Sequence, residues 1–526
     1  MALTSEREAA SVAGTPALTG RLELTARRAP LPLWLALIVA AAAGPVYDGG
    51  FPSLGWWPLA FVGIGMFLLS LIGRRAGSSF LVGLVGGLSF YLVHIQWASL
   101  YLGDIPWFAL ATVEALFFAV GAVLITLAYR WVPRAWPSRA GRLGMVPLVV
   151  AGLWTAREGI ANVWPYGGFA WGRAALSQSQ SPFASLAAWL GLAGLTFVMV
   201  LFVAFVLACF TEQRMSALAA LALAVAAACC LLVVPAWPVT TSGTVRIAAV
   251  QGNGKAGYFD KRQPGDVLAS QAGATLPLVG QRVDMVVWPE GGSDLDPTRD
   301  EQAASVLNYL SAAMSAPIVT GTVTERGGKY YNTSIVWEAG KGVVASYDKR
   351  HPVPFGEYIP DRAFWRPFAP DLIDLVQRGY TPGTRPNVVW VGPVRAGISI
   401  CFDIADDQLL TDMMKDRAQV ILAQTNNADF GHTDENVQQL AIARLRAIES
   451  GRSLVNISTV GTSSVIGPDG RTLDSIPAYK PAAMVTSVPI GTATTPASLL
   501  SRGIEYLACG LGLAGLLIGA LARRRR

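Results

Sequence analysis

The sequence predicts an α-helical membrane domain with an α/β domain inserted before its last helix. The 526-residue chain is 52% hydrophobic and only 14% charged, with a mean hydropathy of +0.42, which is too apolar for an ordinary soluble protein. Seven apolar segments precede residue 240 and an eighth follows at 503–521. Between them, short β-branched runs alternate with helical stretches, the pattern of an α/β domain.

The first ~29 residues are small and polar, with Arg21, Arg27 and Arg28 before the first apolar run, and read as a cytoplasmic tail. The apolar spans that follow, at 31–45, 57–73, 79–98, 106–129, 145–163, 186–210 and 216–236, place a membrane domain at 30–240. The first is short for a bilayer span, and its "AAAAGP" ending also reads as a signal-peptide cleavage site; on either reading the chain after it lies on the same side. Arg74 and Arg75, then Arg130, Arg134, Arg139 and Arg142, then Arg214 and finally Arg523–Arg526 all fall on one side, whereas loops 46–56 and 99–105 contain no Lys or Arg. Both termini are therefore expected in the cytoplasm, with 241–499 outside it and 500–526 forming the eighth helix and a basic tail. Glu114, Arg157 and Glu158 lie in or near spans and read either as buried structural partners or as substrate contacts. Gly83, Gly86 and Gly87 read as sites of close helix packing.

The net charge of +6 does not point to nucleic acid. Residues 241–499 carry 23 Lys and Arg against 26 Asp and Glu, so the basic excess surrounds the apolar segments and reports topology. Cys209, Cys229, Cys230 and Cys509 fall in apolar segments, leaving Cys401 alone in the polar part, which excludes a disulfide framework there. His94, His351 and His432 have no metal-ligand spacing; no metal or other cofactor is expected.

In 241–499 the runs "VRIAAVQGN", "DMVVWPE", "PIVTGTVTE", "TSIVWEAG", "RAGISIC", "QVILAQTNN" and "SLVNIST" read as strands. Helices are expected at 301–314, at 406–416 and from near Thr433, behind a cap-type "TDE", to Glu449 before Gly451. Three strand ends carry reactive groups. Glu290 ends "DMVVWPE" ahead of a flexible "GGSD", Lys349 precedes a proline-rich loop in "SYDKRHPVPFGEYIP", and Cys401 ends "RAGISIC" at a strand-to-helix turn. Taken singly, the first two read as solvated charges and the third as a small core residue. Together they suit acyl chemistry: Glu290 takes the thiol proton, Cys401 attacks, and Lys349 with the backbone N–H of Phe402 meets the oxyanion, the ammonium also lowering the thiol pKa.

The order Glu290, Lys349, Cys401, in "VVWPEGG", "YDKRHPVPFGEYIP" and "GISICFD", resembles the nitrilase superfamily, whose Glu–Lys–Cys triad is carried on an αββα sandwich. With membrane spans on both sides, "VQGN" and "ARLRAIESGRSLVNISTVGTS", the chain is similar to the apolipoprotein N-acyltransferase family, of the actinobacterial type. The resemblance implies a nitrilase-like sandwich inserted between transmembrane helices 7 and 8. It implies transfer of an acyl chain from a membrane phospholipid, through a thioester on Cys401, to the α-amino group of a diacylglyceryl lipoprotein cysteine. Glu357 matches a further family carboxylate, and Phe402 and Asp403 stand where the family usually has Tyr and Glu. "NNADFG" (426–431) matches a family loop, with Asn426 at its head and Asp429 in place of a tryptophan. Tyr258 or Phe259 falls at the usual aromatic lid position, and the choice stays open.

The loop 361–376 places Phe364, Trp365 and Phe368 beside Arg362 and Arg366, a composition that suits a bilayer interface and a lid for lipid tails, or else a satellite hydrophobic cluster. Two other functions compete. A membrane-anchored amidase or nitrilase would release the acyl group to water, although anchoring alone needs one span. A membrane scaffold would serve a polyprenol-phosphate mannose synthase, a partner that the resemblance also suggests for the enzyme.

Overall fold

The computed structural model describes residues 29–212, 215–500 and 502–524; the tail with Arg21, Arg27 and Arg28, and also Arg214, Arg525 and Arg526, lies outside the described residues. The apolar runs form helices α1 (Leu33–Asp48), α2 (Pro58–Leu71), α3 (Ala76–His94), a short α4 (Ala98–Leu102), α5 (Asp104–Ala135), α6 (Arg139–Ala161), α7 (Ala187–Thr211) and α8 (Ala217–Leu232). Helix α16 (Gly503–Arg524) returns after the α/β domain. By length and composition, α3, α5, α6, α7 and α16 suffice to cross a membrane, while α1, α2 and α8 are shorter apolar helices. Small residues let the longest of them pack closely. A Cβ at Gly83 would stand 2.6 Å from Ala122 Cβ, and one at Gly87 2.8 Å from Ala115 Cα, so α3 meets α5 where a larger side chain would hold them apart. The expectation of glycine-mediated helix packing is met here.

Residues 243–490 build two six-stranded sheets. The strands are β1 (Gly243–Gln251), β2 (Met285–Val287), β3 (Ile318–Arg326), β4 (Lys329–Glu338), β5 (Gly342–Asp348), β6 (Val388–Val391), β7 (Val394–Ile400), β8 (Val420–Thr425), β9 (Leu454–Ser458), β10 (Ser463–Ile466), β11 (Thr472–Ile476) and β12 (Ala482–Ile490). One sheet runs β12-β1-β2-β3-β4-β5 and the other β11-β10-β9-β8-β7-β6. Each centre is parallel, β1-β2-β3 and β7-β8-β9, and each flank antiparallel.

The alternation of β1 shows how the layers form. Val245, Ile247 and Ala249 face the other sheet and meet Ile398, Leu422 and Val455, while Ala248 and Val250 face helices α9 (Asp266–Thr275) and α10 (Glu301–Met314) through Leu268 and Leu307. The second sheet repeats the pattern: Ile421, Ala423 and Leu454 turn outward onto α13 (Asp407–Lys415) and α14 (Glu435–Ser450). The result is an αββα sandwich, as the resemblance implied. The α14 side differs from the α10 side in one respect. Its apolar cluster runs on without a break into α1–α7, so α14 is covered by the sheet on one face and by the membrane helices on the other.

Candidate active site

The carboxyl ends of the central strands open into a cavity of about 1920 Å³ that continues along α5, where Leu110, Val113, Leu116, Phe117 and Val120 form an apolar wall. Glu290, Lys349, Glu357 and Cys401 line its polar end. Strand β2 stops at Val287, so Glu290 lies three residues beyond the strand, in a turn, and not at its last position as the sequence suggested. The turn is pressed onto β3: a Cβ at Gly321 would stand 2.7 Å from Glu290 Cα, so only glycine admits it.

Lys349 follows the last residue of β5, with its N–H bonded to Asn332 O of β4 at 2.8 Å. Its side chain is 1% exposed and its Nζ lies 2.8 Å from Glu357 Oε2 and 3.4 Å from Glu290 Oε1. Asn332 Nδ2 joins the same two carboxylates, donating to Glu290 Oε1 at 2.7 Å and to Glu357 Oε1 at 3.0 Å. Burial opposes the lysine charge, but the two carboxylates outweigh it and hold the ammonium well above the usual lysine range. Burial pushes the Glu290 carboxyl upward against the pull of Lys349, which suits a group that must exchange protons.

Cys401 begins a one-turn 3₁₀ helix (Cys401–Ala405) between β7 and α13, with φ at +49°, a left-handed conformation that a non-glycine residue holds only at a cost of about 1–3 kcal/mol. The bend carries the sulfur off the sheet to the cavity wall, where Gln439 Nε2 of α14 donates to Sγ at 3.5 Å. The sequence suggested that Lys349 lowers the thiol pKa. It does pull in that direction, but burial and the Glu290 carboxylate prevail and push the thiol well above its ordinary value. The surroundings of the sulfur thus favour the protonated thiol.

Asp403 is a buried anchor behind Cys401: Oδ2 accepts from Tyr347 OH at 2.9 Å and Oδ1 from the His351 N–H at 3.1 Å. Phe402 stacks nearly parallel on Phe169 and Trp171 of the α6–α7 loop, at 6.3 and 6.2 Å between ring centres. Tyr258 and Phe259 both line the cavity and pack on each other at 4.9 Å, so the structure does not separate the two. The Tyr258 N–H donates to Asp429 Oδ1 at 2.7 Å, and burial raises that carboxyl to about 6. Asn426 Nδ2 holds Ala256 O at 2.9 Å. Residues 361–376 form two short helices, α11 (Arg362–Trp365) and α12 (Pro370–Ile373); Trp365 lines the cavity, Phe364 and Phe368 are exposed, and Arg366 pairs with Asp374.

Arg157 and Glu158 are structural. Glu158 accepts from Arg157, Trp154, Thr196 and the Ala174 N–H, and the Arg157 guanidinium lies 3.9 Å over the Phe118 ring. Glu114 instead lines the cavity. Four site residues escaped sequence reasoning: Asn332, Asn427, Glu435 and Gln439. Asn332 is a lone amide in an alternating strand, with no local signal. Glu435 and Gln439 are spaced i, i+4 on α14, which places both on one helix face, and that spacing was there to be read. "TDE" does not cap this helix: Asp434 makes no side-chain cap bond, and Thr433 Oγ1 donates to Phe430 O.

Residues 43–205 match the apolipoprotein N-acyltransferase N-terminal domain, and residues 246–494 match the carbon-nitrogen hydrolase family. The apolipoprotein N-acyltransferase of Mycolicibacterium smegmatis is 34% identical over 55% of this chain, which spans about half (52%) of that relative's length. That of Azotobacter vinelandii is 30% identical over 425 residues, 78% of each chain. The chain belongs to the apolipoprotein N-acyltransferase family. Among solved structures the chain is similar to an amidase from Nesterenkonia sp., at 19% identity and a TM-score of 0.37 over 48% of this chain and 94% of the amidase. The two matched regions coincide here with the helical layer and the sandwich.

Proposed function

We propose that this chain is a lipoprotein N-acyltransferase that works by two displacements at Cys401. The observation that carries the reading is the continuity of one cavity from the Cys401 sulfur to the apolar wall of α5. A hydrolase of small amides has no use for such a wall, whereas an acyl chain buries about 0.8 kcal/mol per CH₂ along one.

In the first displacement Glu290 takes the Cys401 proton as sulfur attacks the phospholipid ester, and the tetrahedral oxyanion is met by the Lys349 ammonium and the Phe402 N–H. Collapse expels the lysophospholipid alcohol, which recovers the proton from Glu290, and leaves an acyl thioester. In the second, the α-amino group of a diacylglyceryl cysteine attacks the thioester, Glu290 accepts the amine proton and passes it to the departing sulfur as the C–S bond breaks, and an amide, the Cys401 thiol and the free Glu290 carboxylate result. Glu357 shares Lys349 and Asn332 with Glu290 and keeps the ammonium placed when Glu290 is protonated. Asp403 anchors the nucleophile turn, Phe402 ties it to the helical layer, and Tyr258, Phe259, Trp365, Asn426 and Asp429 border the lipid entry.

The active site would face outward from the cytoplasmic membrane, with both termini inside; the arginine distribution supports this. Association with a polyprenol-phosphate mannose synthase is part of the proposal and would appear as co-purification. The transfer itself is tested with the purified full chain, a phospholipid labelled in its acyl chain and a diacylated lipopeptide. The wild type should yield labelled N-acyl lipopeptide and Cys401→Ala none; a labelled free fatty acid as the sole product would reject the transferase.

A further inference from the structure

The first turns of α14 carry two adjacent glutamines whose side chains serve different layers. Gln438 Oε1 accepts from Trp97 Nε1 at 3.0 Å and from Trp171 Nε1 at 2.9 Å, and its Nε2 donates to His94 O at 3.0 Å, which pins the turn to the helical layer. Gln439, 1% exposed, reaches the other way, and its Nε2 lies 3.5 Å from Cys401 Sγ.

The orientation of that amide follows from a chain of obligatory donors. The Gly461 N–H donates to Ser458 Oγ at 2.9 Å, and the Ser458 hydroxyl donates to Asn427 Oδ1 at 2.5 Å, joined there by Thr425 Oγ1 at 3.1 Å. Asn427 must then present its NH₂, which donates to Glu435 Oε2 at 2.7 Å and to Gln439 Oε1 at 2.9 Å. With its oxygen taken by Asn427, Gln439 can show the sulfur only its NH₂. Reversing the amide would set two donors together at Asn427 and an oxygen against the sulfur. Asn427 and Glu435 are 3% and 2% exposed, so no bulk water relaxes the constraint.

We propose that Gln439 is a catalytic residue that holds an N–H on the Cys401 sulfur and favours its thiolate, with Asn427 and Glu435 as the positioning residues that fix its orientation. This rests on the reading of Cys401 as the nucleophile. Burial is the largest influence against a thiolate there; among the described residues Glu290 from the turn after β2, Glu435 from α14 and Glu357 from the proline-rich loop add to it, and Lys349 after β5 opposes them. An amide N–H supplies stabilisation that the neighbouring carboxylates cannot cancel, because it carries no charge to pair with.

The test is the rate of Cys401 alkylation by iodoacetamide, read by peptide mass spectrometry on the full-length protein across a pH series. Gln439→Leu keeps the volume and removes the donor, and should move the profile up by about one pH unit, a roughly tenfold slower reaction at a fixed pH below it. Gln439→His restores a donor and should return the rate to the wild-type level or above. Asn427→Leu leaves Gln439 in place and removes the NH₂ that holds its oxygen without adding a charge, so the amide is no longer fixed; the profile should shift upward as for Gln439→Leu. Superimposable profiles for Gln439→Leu and wild type overturn the proposal, as does a His variant as slow as the Leu variant, which would mark a packing role. If Gln439→Leu does not fold, Gln439→Met, which also lacks the donor, decides by the same shift or its absence. Shifts in these variants beside a wild type that never acquires an acyl group from phospholipid would instead refute the acyl-transfer reading and leave the sulfur–amide contact standing.

Discussion

Replacing Lys349 with methionine keeps the length of the side chain and removes the one cation between Glu290 and Glu357, whose oxygens lie 3.4 and 2.8 Å from Nζ. Removing one partner of a buried ion pair costs about 3–5 kcal/mol, because the remaining charge is stranded. Part of this returns if Glu290 takes up a proton. Burial already raises its carboxyl, and in the variant the opposing pull of Lys349 is gone while that of the Asn332 amide stays. A carboxyl whose folded pKa lies above its unfolded value of roughly 4.3 favours the fold below that value and loses the contribution as pH climbs through the folded pKa. The stability deficit of Lys349→Met should therefore be largest near about pH 8 and smallest near about pH 5. Catalysis fails for two reasons at once, since a protonated Glu290 is no base and the oxyanion loses its cation; the latter alone is worth about 10²–10³-fold. Thermal unfolding across that pH range and the rate of Cys401 acylation by phospholipid measure both effects. A deficit independent of pH, or an acylation rate within tenfold of wild type, would refute the arrangement.

Three further outcomes follow from the same geometry. Glu290→Gln should slow acylation by about 10²–10⁴-fold while leaving Cys401 open to alkylation at high pH; an unchanged acylation rate would remove Glu290 from the mechanism. Gly83→Leu drives a side chain into Ala119 and Ala122 of α5 and should lower stability by about 1–3 kcal/mol. Gly77→Leu, on open surface of the same helix, should leave the thermal midpoint in place. Arg446→Met breaks contacts to Asp407 at 2.6 Å and Glu449 at 2.7 Å and should cost about 3–5 kcal/mol. Asp407 is half-buried, and Arg173 and Arg446 overcome its desolvation and hold its carboxyl below the usual range. Its contribution is present above the unfolded pKa of roughly 3.9 and disappears on acidification, so the Arg446 variant should show a flatter loss of stability below about pH 4 than wild type.

The parts of the fold that were legible in the sequence are those whose signal is local. The apolar runs became α1–α3, α5–α8 and α16, and the helix expected at 301–314 is α10 at those residues. Strands β6, β10 and β11 went unread because they are only four or five residues long, and β12 because its partner β1 lies more than two hundred residues away. At the site, Glu290, Lys349 and Cys401 announced themselves as reactive types at strand ends, and Glu357 through the resemblance. Asn332, Asn427 and Gln439 did not, since an amide has no charge and its value depends on which atoms the fold brings within 3 Å. The pull of Lys349 on the thiol was legible, but the net shift was not, for a related reason. Lys349 is adjacent to the sulfur in the scheme, but the burial and the carboxylates that outweigh it become visible only when the layers close.

The most direct measurement is the mass of Cys401 after the full-length protein has met phospholipid, followed by its fate on adding a diacylated lipopeptide or buffer alone. A two-step transfer predicts one acyl group on that cysteine, cleared at once by the lipopeptide, which gains an amide, and persistent in water. An unmodified Cys401 during turnover, or an adduct that buffer discharges as fast as the lipopeptide does, would contradict it.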